Sequence, residues 1–197
     1  MSWVEKAKKR AAQAAICHIK SETVIGLGTG STSEYMIKIL SSLLESGKLR
    51  DVKGVPTSNK TSSLANTLGI PMTTLDEYPR LDLSIDGADL IDNRLNLLKG
   101  GGGALFREKI VASASETYII IADERKIVKK LGTGFPLPIE VLPFSVTPVP
   151  QKISELGANL TIRIDKNKPI VTDNGNYILD ADFGPIDTPE KLESKLK

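Results

Sequence analysis

Short apolar runs alternate with helix-patterned stretches up to Asp123, and most of the apolar runs stop on glycine or on a cluster of polar residues. TVIGLG (23–28), DVKGVPTS (51–58), LDLSIDG (81–87) and TYIIIAD (117–123) read as strands, and RLNLLKG (94–100) is a further strand candidate. Helices are expected over 3–20, 30–47, 59–69 and 104–115, the second capped by Ser31 or Thr32 and ended by Gly47. Alternation of this kind predicts an α/β fold with a doubly wound, mostly parallel sheet. TYIIIAD is almost wholly apolar, which suits a central strand covered on both faces.

The texture changes after Lys130. Five prolines, Pro136, Pro138, Pro143, Pro148 and Pro150, exclude a long helix and suggest a crossing segment. Beyond them a helix is expected over 149–157 and a strand over 159–164. KPIVTD and NYILDADF read as strands around an Asn174–Gly175 turn, and DTPEKLESKL as a last helix. The pattern predicts a main α/β catalytic domain over 1–130 and a second, smaller α+β lobe over 131–197.

Composition narrows the function class. Lys and Arg number 26 against 24 Asp and Glu, and no long basic run stands out, so nucleic acid is not expected as a partner. Lys6, Lys8, Lys9 and Arg10 read as the solvated face of the first helix. Cys17 is the only cysteine, which rules out an internal disulfide; within AAICHI it reads as a small core residue. With His18 the only histidine, neither a zinc site nor a His-based triad is expected, and His18 reads as a helix residue near a polar boundary. No segment approaches the roughly 20 apolar residues of a membrane span. The N-terminus has no apolar core of a secretion signal. A cytoplasmic enzyme with no membrane partner is the expectation.

Polar motifs follow the strands, and in open α/β sheets ligands bind at the carboxyl ends of strands. KGGGGALFREK (99–109) places Lys99 and four glycines before a helix carrying Glu108. Glycine lets backbone N–H groups surround an anion, and the helix start adds donors and a positive dipole end. A flexible loop is the alternative for the glycines, and a solvent-facing glutamate the alternative for Glu108. GLGTGSTS (26–33) lacks the spacing of a dinucleotide fingerprint and has no Walker lysine. It fits either a phosphate- or sugar-binding turn or an ordinary capped strand–helix turn. DGAD (86–89) brings two carboxylates around one turn, suited to hydrogen-bonding a polyol or to acid/base work, or simply to an Asp-rich turn. Lys126, after IADE, either points into the crevice or begins the next element.

Taken together, GLGTGST, SIDGAD, KGGGGALFREKI, IADERK, GFPLPIEV and TDNGNYILD with DFGPI resemble ribose-5-phosphate isomerase of the A type, in order and spacing, over nearly the whole chain. The resemblance implies interconversion of D-ribose 5-phosphate and D-ribulose 5-phosphate in the pentose phosphate pathway, with no metal and no organic cofactor. Glu108 matches the family's general base, and Asp86, Asp89 and Lys99 match its other catalytic positions. Thr29, Gly30, Ser31, Thr32, Asp86, Gly87, Ala88, Asp89, Lys99, Gly100, Gly101, Gly102 and Lys126 match substrate-binding positions. The pentose 5-phosphate is the expected partner, along with further copies of the chain in a homodimer or homotetramer.

The resemblance also leads one to expect a further segment after DFGPI, similar to IPGVVE-x-GLF, that this sequence does not contain. A non-catalytic sugar-phosphate sensor domain is the competing class of function, although no helix-turn-helix pattern accompanies it. A sugar-phosphate deaminase or a coenzyme A transferase is a third, and His18 lies far in sequence from the motifs such a deaminase would use.

Overall fold

The computed structural model describes residues 2–196. In chain order the elements are α1 (Trp3–Ile16), β1 (Val24–Leu27), α2 (Ser31–Glu45), β2 (Lys53–Pro56), α3 (Asn59–Thr67), β3 (Leu81–Asp86), β4 (Leu90–Ile91), β5 (Leu97–Leu98), α4 (Leu105–Ser113) and β6 (Ser115–Ile120). They continue with β7 (Leu137–Val141), α5 (Pro148–Glu155), β8 (Asn159–Ile162), β9 (Ile164–Asp165), β10 (Lys168–Pro169), β11 (Tyr177–Asp182) and α6 (Pro189–Leu196). The chain forms two compact units, Met1–Gly87 with Phe106–Asp123, and Ala88–Leu105 with Glu124–Lys197.

The first unit is built on a parallel sheet of order β2-β1-β3-β6. Ile25 and Leu27 of β1 and Leu83 and Ile85 of β3 pack with Ala12, Ala15, Met36, Ile37, Leu40 and Ala65, so α1, α2 and α3 cover one face. Each fully buried Leu or Ile there contributes about 1.5–3 kcal/mol of transfer free energy. Val55 and Leu81 meet Val111 of α4 on the other face, and a Cβ on Gly26 would lie 2.5 Å from the Val111 side chain. Helices on both faces make the sheet doubly wound. From β1 the chain passes to β2 on one side and then to β3 on the other, so the strand order reverses between β1 and β3.

Local chemistry explains the element ends. Ser2 and Glu5 form a capping box that opens α1. Gly47 and Gly69 follow α2 and α3 at φ of 68° and 69°, a conformation that lets each helix stop without a Cβ clash. Four expectations are corrected in this unit. TYIIIAD supplies the edge strand β6, shifted to Ser115–Ile120, with Glu116 and Thr117 exposed; an apolar run alone does not distinguish edge from centre. Neither Ser31 nor Thr32 caps α2: Gly30 is the N-cap, and no side chain bonds the helix start. Cys17 is exposed at the C-cap of α1, its thiol donating to Gln13 O at 3.6 Å; His18 lies in the turn that follows, outside the helix.

The second unit holds an antiparallel sheet of order β7-β11-β8, whose Val141, Leu179 and Ala181 pack with Ile153 of α5. It also holds the β4–β5 hairpin, whose Leu90 and Leu98 bury against Leu131 with Val128, Phe135 and Ile186. Those contacts explain why the chain does not divide at 130–131: residues 88–105 and 124–130 belong to the second unit. The Asn174–Gly175 turn forms, with Gly175 at φ 78° and its N–H on Thr172 O. The strand before it does not extend as expected. Lys168–Pro169 instead pairs with Ile164–Asp165 around Lys166 and Asn167, both at positive φ, while β11 pairs with β7 and β8.

Candidate active site

Within the first unit Thr29–Thr32, Asp86 and Gly87 follow β1 and β3, where the strand order reverses, the usual ligand position in a doubly wound sheet. Asp86, the last residue of β3, is 2% exposed. Its Oδ1 accepts the N–H of Thr29 at 3.1 Å and of Gly87 at 2.7 Å. The glycines of GLGTG make this possible. A Cβ on Gly28 would stand 2.3 Å from Asp86 Oδ1 and 2.5 Å from its Cα, so glycine there gives the carboxylate room against β1.

The Thr29 hydroxyl joins a cluster from the end of β2 and the start of α3. Its Oγ1 lies 2.7 Å from Thr57 Oγ1, 2.8 Å from Ser58 Oγ and 3.2 Å from Thr61 Oγ1. Thr57 donates to Leu27 O and Thr61 to Gly28 O, so the cluster is anchored on the β1 backbone. Gly30, at φ 119°, turns the chain into α2. Lys8 Nζ donates to Ser31 Oγ at 2.7 Å, which makes Lys8 more than part of a solvated face. Helical spacing hides that role, because the contact spans 23 residues.

Glu108 lies in the first turn of α4 and is 6% exposed. It is not the solvent-facing glutamate that most helix positions give. A groove of about 710 Å³ elsewhere in this unit, lined by Val55, Met72, Leu75, Arg107, Ile110 and Val111, contains none of the nominated residues.

In the second unit, the β4–β5 hairpin carries Asp89 just before one strand and Lys99 just after the other. The Asp89 N–H donates to Leu98 O at 2.9 Å. The glycine run is a closed turn, with Gly103 N–H on Gly100 O at 3.0 Å. Gly101 N–H donates to Asp89 Oδ2 at 2.7 Å, so one anion held by the run is a carboxylate of the protein itself. A Cβ on Gly101 would meet Asp89 Oδ1 at 2.6 Å. Lys126 ends a 3₁₀ turn, and the next residue, Ile127, bridges to Ile91 of β4. The hairpin therefore lies alongside the segment that carries Lys126.

The first unit thus holds Thr29, Gly30, Ser31, Thr32, Asp86, Gly87 and Glu108, and the second holds Ala88, Asp89, Lys99, Gly100, Gly101, Gly102 and Lys126. Among the described residues, no group of three or more His, Cys, Asp or Glu is placed to hold a metal ion, and no helix is long and apolar enough to cross a membrane.

Residues 53–197 match the family model for ribose 5-phosphate isomerase A (phosphoriboisomerase A). The chain belongs to that family. Ribose-5-phosphate isomerase A of Trichodesmium erythraeum is 47% identical over 191 residues, spanning 96% of this chain and 81% of that protein. A solved D-ribose-5-phosphate isomerase in complex with phospho-erythronic acid superposes at a TM-score of 0.95, with 44% identity, over 99% of this chain and 86% of that one. Ribose 5-phosphate isomerase A of Methanocaldococcus jannaschii gives a TM-score of 0.92 at 42% identity, over 98% and 85%. The first unit therefore has the doubly wound α/β fold that the alternation of strands and helices predicts.

Proposed function

We propose that this chain interconverts D-ribose 5-phosphate and D-ribulose 5-phosphate through an enediolate, with Glu108 as the general base. The observation that carries the reading, in a chain of this family, is the burial of Glu108 in the first turn of α4. A carboxylate fixed on a helix and shielded from water is suited to move one proton between adjacent carbons.

In the open-chain aldose, Glu108 takes the C2 proton. The C–H electron pair becomes the C1=C2 bond, and the carbonyl pair moves onto O1. The O2 proton passes to O1, the C2 carbonyl forms, and Glu108 returns its proton to C1. Lys99 and backbone N–H groups oppose the oxyanion charge, which is the term such sites rely on most. Asp86 and Asp89 assist ring opening. Thr29, Gly30, Ser31, Thr32, Gly87, Ala88, Gly100, Gly101, Gly102 and Lys126 hold the substrate.

The phosphate goes to the start of α2. That helix has no side-chain cap, and Lys8 adds positive charge at Ser31. Phosphate binding at a distance from the reacting carbons fixes the sugar for reaction. Phospho-erythronic acid, bound by the solved relative, offers a phosphate and a carboxylate whose single charge is shared by two oxygens, much as the enediolate would. From the family likeness alone we infer a homodimer or homotetramer acting in the cytoplasm within the pentose phosphate pathway.

The deciding assay mixes the purified chain with ribose 5-phosphate in D₂O. Ribulose 5-phosphate is the expected product, with solvent deuterium at C1 in those turnovers where the Glu108 carboxyl exchanges before it returns its proton. No ketose would reject the isomerase; a Glu108→Gln variant with wild-type turnover would reject the base.

A further inference from the structure

We propose that Arg163 is a positioning residue for the reaction, acting through the Gly100–Gly101 peptide on the carboxylate of Asp89. The inference rests on the role given above to Asp89 and the glycine loop. All of its residues lie in the second unit.

Arg163 occupies the break between β8 and β9, where its N–H donates to Ile178 O at 2.8 Å and its carbonyl accepts from Ile170 at 2.9 Å. The backbone is thus fixed on both sides of the side chain. Nε donates to Asp180 Oδ2 at 2.8 Å and Nη2 to Asp180 Oδ1, a fork-to-fork pair with side chains only 16% and 18% exposed. That pairing orients the guanidinium and leaves Nη1 pointing away from Asp180. Nη1 donates to Gly100 O and to Gly101 O, each at 3.0 Å.

The Gly100 carbonyl and the Gly101 N–H belong to one peptide group. Arg163 holds the carbonyl end, and Asp89 Oδ2 receives the N–H end at 2.7 Å. Because the peptide is planar and trans, fixing the direction of its C=O fixes the direction of its N–H. Donation to the carbonyl also polarises the peptide and strengthens its N–H as a donor. The orientation of the Asp89 carboxylate therefore depends on a guanidinium that does not touch it.

Glycine suits the two positions for different reasons. Gly100 sits at φ 104°, and a Cβ on Gly101 would meet Asp89 Oδ1 at 2.6 Å. Lysine cannot substitute for the arginine. A single ammonium has no rigid fork to serve Asp180 and two carbonyls together.

The test compares wild type with Arg163→Lys, each also in an Asp89→Asn background. Arg163→Lys is expected to lower kcat about tenfold or more with KM for ribose 5-phosphate little changed, because small misplacements of a reacting group are costly. In the Asp89→Asn background the same change is expected to lower kcat less than about twofold, as coupled residues are non-additive. A folded Arg163→Lys enzyme with wild-type kcat would overturn the proposal. So would an equal loss in both backgrounds, which would mean a role unconnected with Asp89. If Arg163→Lys does not fold, Arg163→Gln with Asp180→Asn removes the pair without leaving a lone buried charge and is read the same way.

The Gly101 amide proton gives a readout independent of turnover, since an N–H bound to a carboxylate resonates downfield. Its resonance is expected to move upfield when Arg163 is replaced, and an unchanged resonance would overturn the clamp. If wild type forms no ketose, the isomerase reading fails by itself, and the amide resonance still decides whether Arg163 orients this peptide.

Discussion

Thr29 donates its backbone N–H to the Asp86 carboxylate at 3.1 Å, joining the loop after β1 to the end of β3 where the strand order reverses. A crevice at such a reversal needs the two loops held in register before a ligand arrives. Asp86 does this with one oxygen, which takes both the Thr29 and the Gly87 N–H groups. The sugar-phosphate chemistry proposed for Asp86 and the architecture of the sheet thus meet in one side chain.

Gly28→Ala tests that arrangement. The new methyl would fall 2.3 Å from Asp86 Oδ1 and 2.5 Å from the Asp86 backbone, and the backbone cannot swing away. Overpacking of this kind costs about 1–3 kcal/mol, read as a lower urea midpoint. Activity is expected to fall further than stability, by about a hundredfold, because Asp86 moves from its place. A variant with wild-type turnover would show that the Asp86 position is not needed for the reaction.

Glu108→Gln keeps the shape of the buried side chain and removes its capacity to accept the C2 proton. Loss of a general base lowers turnover by about 10²–10⁴. KM is expected to stay within about threefold, since the amide leaves ground-state binding in place. Steady-state kinetics with ribose 5-phosphate check both numbers. Near-normal kcat would move the base to another residue.

Legibility in the sequence followed the range of each signal. Strands β1, β2 and β3 and the helices between them are local patterns with glycine stops, and each was found within a few residues of its bounds. The two-residue strands β4 and β5 are too short for any periodicity, and Leu90 and Leu98 declare themselves only by packing on Leu131. This is why residues 88–105 read in sequence as a continuation of the first α/β stretch, while their contacts fall in the second unit. The glycine run was legible as an anion cradle, but not that it holds Asp89, 12 residues away, or that Arg163 grips it from 62 and 63 residues away. Lys8 was hidden in the same way by a basic run that reads as solvated.

Leu95 stands at φ 63° and is 78% exposed in the turn between β4 and β5. A non-glycine residue in the left-handed region costs about 1–2 kcal/mol, part of which glycine returns as entropy of the unfolded chain. With little apolar burial to lose, Leu95→Gly is expected to stabilise the protein by about 0.5–1 kcal/mol. Urea unfolding checks this, and a lower midpoint would mean that the Leu95 side chain makes a contact worth more than the strain.

Asp92 makes the acid stability of the same hairpin predictable. Its Oδ1 accepts the N–H groups of Arg94 at 2.8 Å and Asn96 at 2.9 Å, and its Oδ2 accepts Asn96 Nδ2 at 2.9 Å. Burial works to raise the carboxyl, but the Asn96 side chain and backbone, the Arg94 N–H and the Arg94 charge together hold it below its ordinary value of 3.8. A carboxyl depressed on folding contributes stability that is complete above the unfolded value and is lost as pH falls through the folded one. The stability gap between wild type and Asp92→Asn is therefore expected to be constant from neutral pH down to about 5, and to shrink below the ordinary carboxyl range. Urea midpoints of both proteins measured from pH 7 to pH 2 test the sign. A gap that widens on acidification would mean that Asp92 is more easily protonated in the folded hairpin than in the unfolded chain.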